Sequence, residues 1–82
     1  MIDSERIKRA VTELLSAIGE NPNRAELMAT PEKVAAAYAE FFKGVGVDET
    51  SVLAETFEAE HNEVVILKDI EFVSMCEHHL LP

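Results

Sequence analysis

Glu63-Val64-Val65-Ile66-Leu67-Lys68-Asp69-Ile70-Glu71-Phe72-Val73-Ser74-Met75 is rich in β-branched and aromatic side chains. Such a run reads as strand, because these side chains fit a pleated, half-buried surface. Ile70, Phe72 and Ser74 then face one way, and Glu71, Val73 and Met75 the other. Just upstream, Thr56 to Glu60 alternates weakly, with Phe57 and Ala59 on one face, and His61-Asn62 is polar and turn-like. The expectation is a hairpin whose second strand is long and bent near Lys68-Asp69. A two-stranded sheet is marginal in water and leaves both outer edges unpaired. No third strand is legible, and Leu80-Leu81-Pro82 is not a polar tail. The chain is therefore expected to be the front part of a longer polypeptide.

Moving toward the N-terminus, the period changes from two to 3.6. Ile7, Ala10, Val11, Leu14, Leu15 and Ile18 fall at helical spacing and make one apolar stripe. Asp3 or Ser4 is placed to cap the start, and Gly19 to take the left-handed stop. Glu20-Asn21-Pro22-Asn23 reads as a turn, and Arg24 to Met28 as a short helix. Thr30-Pro31 marks a second start, with Thr30 as the cap and Pro31 where a missing amide costs nothing. Val34, Tyr38, Phe41 and Phe42 form its buried stripe, and Gly44 is expected to end it. An aromatic stripe of this kind is core packing before it is a cofactor box. Gly44-Val45-Gly46 reads as a joint, and Asp48 to Leu53 as one more helical turn.

Composition narrows the function. At 82 residues and 48% hydrophobic, the chain is too apolar for a disordered segment and too short for more than one domain. A domain this size buries only roughly 60% of its unfolded surface and usually needs a disulfide, a metal or a partner. Cys76 is the only cysteine, so an internal disulfide is excluded. The net charge is −9, from 16 acidic and 7 basic residues, and residues 44–82 alone carry −8. That balance repels nucleic acid and anionic membrane, both of which require Lys and Arg against phosphate. No stretch reaches membrane-span length, and Met1-Ile2-Asp3-Ser4-Glu5 has no secretory pattern. A lone cysteine without an export signal points to the cytoplasm.

Cys76-Glu77-His78-His79 directly follows the expected long strand. Cys76 and His79 have C-x-x-H spacing, which lets one turn of backbone wrap a single ion, and a thiolate with an imidazole suits Zn²⁺. His78 points elsewhere in such a turn and is left as an acid–base group. Glu77 is an exposed loop carboxylate or an orienting partner for an imidazole. His61 reads as a solvated histidine. A catalytic zinc takes about three protein ligands. The third must come from His78, from sequence beyond these residues, or from another subunit.

Three segments together resemble the GTP cyclohydrolase I family. Gly19-Glu20-Asn21-Pro22-Asn23-Arg24 followed by Thr30-Pro31-Glu32-Lys33-Val34-Ala35 is similar to its N-terminal helical stretch, and Phe41-Phe42-Lys43-Gly44 to the end of its second long helix. Val64 to Pro82, above all Ser74-Met75-Cys76-Glu77-His78-His79-Leu80-Leu81-Pro82, is similar to its zinc-binding region.

The resemblance implies an α+β chain, with N-terminal helices over residues 1–52. Residues 53–82 would be the first antiparallel strands of a tunnelling fold (T-fold), incomplete in this chain. It further implies a toroidal homodecamer that hydrolyses and rearranges GTP to 7,8-dihydroneopterin triphosphate and formate, at the entry to tetrahydrofolate and other pterins. Cys76 and His79 would be zinc ligands and His78 a catalytic proton carrier. The third ligand and the substrate-binding residues are expected beyond Pro82, and the 82-residue chain alone is expected to be inactive. The competing expectation is a short non-catalytic homologue that binds zinc or docks onto other subunits.

Overall fold

The structure is a computed structural model and describes residues 1–60 and 62–82. The expected solvated His61 and the turn it shares with Asn62 fall partly outside the described residues. The chain divides into two compact units, Met1–Val45 and Gly46–Pro82.

In the first unit, helix α1 spans Ser4–Ala17 and helix α2 spans Thr30–Phe41. Asp3 caps α1, its side chain accepting from the Arg6 amide at 3.1 Å. That bond satisfies one of the amides a helix start leaves open. At the other end, Gly19 sits at φ +93. The Gly19 amide donates to Ser16 O at 3.1 Å and the Glu20 amide to Leu15 O at 2.9 Å. This is a Schellman closure, which needs a left-handed residue at that position and finds glycine there. The connector is built of turns: Asn21 Oδ1 accepts from the Asn23 amide and Asn21 O from the Arg24 amide. The short helix expected over Arg24 to Met28 is replaced by single turns closed by the Leu27 and Thr30 amides.

Helix α2 begins one residue earlier than its sequence signal suggests. Ala29 is the N-cap, in helical backbone geometry and without a capping side chain, so Thr30 lies inside the first turn and is not the cap. Pro31 still occupies the first turn, where its missing amide is harmless. The helix ends at Phe41, ahead of Gly44; Phe42 is the C-cap, and the Val45 amide closes onto Phe42 O. The left-handed glycine in this joint is Gly46, at φ +79. Helices α1 and α2 pack on one another. Leu15 and Ala35 are the buried apolar residues among those described, with Ala35 only 1% exposed. The small Ala35 side chain is compatible with close approach of the helices. Tyr38, Phe41 and Phe42 are half-buried, and Tyr38 meets Phe42 edge-on with ring centroids 5.3 Å apart. Lys8–Glu5, Arg24–Glu20 and Lys43–Glu40 are exposed local ion pairs, which add little to stability.

The second unit opens with helix α3, Glu49–Val52. Asp48 caps it, its carboxylate accepting from the Thr50 amide at 3.0 Å and the Thr50 hydroxyl at 2.6 Å. Beyond α3 the sequence expectation fails. No strand forms among the described residues, and the antiparallel strands expected of a T-fold over 53–82 are absent. Among the described residues the one β-type pairing is an isolated bridge between Cys76 and Leu81. The described chain is helix, turn and coil, not α+β. The physical reason is that β-propensity describes a side chain that fits a sheet, and a strand exists only when another strand takes up its backbone. Residues 63–75 keep strand composition without that partner. Their side chains stand in the open: Val64 is 85% and Phe72 83% exposed. Asp69 sits at φ +57, a left-handed kink at the Lys68-Asp69 position where a bend is expected.

Candidate metal half-site

Residues 76–81 form one closed turn. The Cys76 amide donates to Leu81 O at 2.7 Å, and the Leu80 amide donates back to Cys76 O at 2.8 Å. Leu80 takes φ +55, in the left-handed region. The reversal at Leu80 carries the Leu81 carbonyl round to the Cys76 amide. Between these closures, residues 76 and 79 are three apart on a turn and come onto one side of it. Cys76 Sγ lies 3.3 Å from His79 Nδ1. In the neutral pair the thiol donates to Nδ1; in the ionised pair Nδ1–H donates to the thiolate.

Two donors on a tetrahedral zinc, with bonds near 2.3 Å to sulfur and 2.0–2.1 Å to nitrogen, stand about 3.5 Å apart. The observed Sγ–Nδ1 separation fits that spacing, so thiol and imidazole suit adjacent corners of one coordination sphere. Two donors alone do not complete such a sphere. Among the described residues, no group of three or more His, Cys, Asp or Glu side chains gathers to hold a metal ion. Glu77, His78 and His79 are exposed, as is Cys76. The structure thus brings together Cys76 and His79 and leaves His78 and Glu77 on the exposed surface of the same turn.

Sequence reasoning singled out Cys76 and His79, which the structure brings together, and missed what closes the turn. Nothing in the sequence marks Leu80 as left-handed, because a branched apolar residue argues against that geometry. Among the described residues, no helix is long and apolar enough to cross a membrane. A separate open groove of about 520 Å³ on the helical unit, lined by Ile2, Ile7 and Phe42 among others, is apolar apart from Lys43. It gathers no histidine, cysteine or carboxylate side chain.

The family profile described as GTP cyclohydrolase I matches residues 7–82. Among curated proteins, the chain is 52% identical to the GTP cyclohydrolase 1 of Caldanaerobacter subterraneus subsp. tengcongensis, over all 82 residues and 44% of that protein. It is 52% identical to that of Dehalococcoides mccartyi, over the whole chain and 43% of the relative. For Clostridium perfringens the identity is 49%, over the whole chain and 44% of the relative. The chain therefore spans less than half the length of the curated relatives it matches. With 76 of its 82 residues inside the family profile, this chain belongs to the GTP cyclohydrolase I family, a family of hydrolases.

Proposed function

We propose that the chain contributes part of the zinc site and a proton carrier to a GTP cyclohydrolase I. That enzyme converts GTP and water to 7,8-dihydroneopterin triphosphate and formate. The single observation that carries this reading is the 3.3 Å approach of Cys76 Sγ to His79 Nδ1, in a turn within the stretch that matches the family. Cys76 and His79 are the residues that hold the metal. When bound, zinc supplies Lewis acidity that makes water a nucleophile at neutral pH.

The remaining steps belong to the chain's own residues. Attack at C8 of the guanine imidazole ring pushes an electron pair onto N7. His78, exposed beside the ligand pair, donates a proton there and recovers one as the ring opens. The second hydrolysis releases formate, and the ribose carbons close the new ring. With a net charge of −8, residues 44–82 do not hold the triphosphate, so that contact comes from other parts of the assembly. A complete ligand set takes more than these two donors. The assembly is proposed to be the ring-shaped homodecamer of the family, acting in the cytoplasm on the route to tetrahydrofolate.

The test is a graft. The 82 residues replace the matched portion of the Caldanaerobacter relative, and formate release from GTP is followed. Formate release that Cys76→Ser abolishes, together with loss of zinc by elemental analysis, is the expected result. A graft that assembles and keeps zinc but releases no formate would support the non-catalytic homologue instead.

A further inference from the structure

We propose that Leu80 is a positioning residue for the metal pair, acting through its backbone. The proposal rests on the zinc reading above. Leu80 contributes no donor atom, and its place at φ +55 is one that a branched, non-glycine residue adopts only when its surroundings impose it. Here the surroundings include two hydrogen bonds. The Leu80 amide reaches Cys76 O at 2.8 Å, and the Leu81 carbonyl receives the Cys76 amide at 2.7 Å. Both pass through Cys76, so the backbone of one donor is held from both sides. Rotation of Leu80 to ordinary right-handed or extended geometry swings the Leu81 carbonyl off the Cys76 amide. The turn then opens, and the 3.3 Å approach of Sγ to Nδ1 is no longer imposed. In the closed turn the loop is ordered before the ion arrives, so less freedom is lost on binding. The left-handed conformation of Leu80 is thus the component of the turn that sets donor spacing.

Three substitutions separate backbone from side chain. Leu80→Gly removes the side chain and adopts the left-handed region freely. Leu80→Asn keeps a side chain and tolerates that region. Leu80→Val is β-branched and resists it. The probe is Co²⁺ alone, titrated into the metal-free grafted enzyme and followed by its thiolate charge-transfer band, with far-ultraviolet dichroism reporting that the fold stands. Leu80→Gly and Leu80→Asn, which relieve the left-handed cost that leucine already carries, are expected to bind at least as tightly as the unaltered graft, and Leu80→Val, whose β-branch adds to that cost, about threefold or more weakly. The Cys76 amide should exchange with solvent faster in Leu80→Val alone. Equal affinity in Leu80→Val overturns the proposal, as does equal weakening in all three, which would assign the effect to the leucine side chain. If the unaltered graft shows no band, or Cys76→Ser leaves it in place, the zinc reading itself fails and this proposal falls with it.

Discussion

Cys76 Sγ and His79 Nδ1 stand 3.3 Å apart on an exposed turn of the second unit. The two side chains are already at the separation that adjacent corners of a tetrahedral zinc site demand. Either alone, on an exposed surface, would be a weak ligand. Together they would offer an ion two adjacent donors. Cys76→Ser and His79→Ala are each expected to abolish stoichiometric zinc in the grafted enzyme, while His61→Ala leaves it unchanged. Elemental analysis after exhaustive dialysis reads the outcome, and full metal retained in either donor variant would contradict the assignment.

His78 makes the complementary prediction. His78→Ala is expected to keep the metal and to lower formate release from GTP by roughly 10²–10⁴-fold, the usual contribution of a positioned proton carrier. A histidine that merely fills the turn would leave turnover intact, so unchanged formate release removes it from the mechanism.

The caps of α1 give a stability prediction that does not depend on the site. Gly19 holds φ +93, and a Cβ built there meets nothing within 4 Å. The cost of Gly19→Ala is therefore backbone strain alone, about 1–2 kcal/mol. Asp3→Ala, which removes the bond to the Arg6 amide, costs about 1 kcal/mol. Urea unfolding of the helical signal measures both. A Gly19→Ala chain as stable as the parent would show that the Schellman closure is not held in solution.

A pH dependence follows from Asp48. The Thr50 hydroxyl and then the Thr50 amide donate to its carboxylate and hold its pKa below the ordinary aspartate value. A depressed folded pKa means that the cap's contribution is fully present above the unfolded aspartate value and is lost as pH falls through the folded one. The first turn of α3 is expected to fray only in that acid range. The Thr50 amide resonance reports it, and the transition should disappear in Asp48→Ala. A Thr50 amide that shifts instead near neutral pH would exclude Asp48 as the cause.

The open apolar run over residues 64–73 predicts association. With Val64, Val65, Ile66, Leu67 and Phe72 each more than two-thirds exposed, the isolated chain should sediment as concentration-dependent oligomers. Phe72→Lys should shift it toward monomer. A single monomeric species across the concentration range would count against this.

The helical half was legible because its signals are local. Asp3 and Gly19 act within four residues of themselves, and the 3.6-residue stripe needs only the helix it lies on. Thr30 misled because Ala29 adopts helical geometry and moves the cap back by one residue. Residues 63–75 misled for the opposite reason. Their composition is that of a strand, but pairing is a relation between two segments and cannot be read from one.

Sequence alone determined the family, the two longer helices and the closeness of Cys76 to His79, since helical periodicity and C-x-x-H spacing act between near neighbours. Only the tertiary structure showed Leu80 left-handed, the Cys76 amide closing on Leu81, and the β-rich run unpaired. Those features depend on where the backbone is carried after each residue has met its own preference. A leucine in the left-handed region goes against that preference and is held there by bonds to Cys76, which no propensity of leucine encodes.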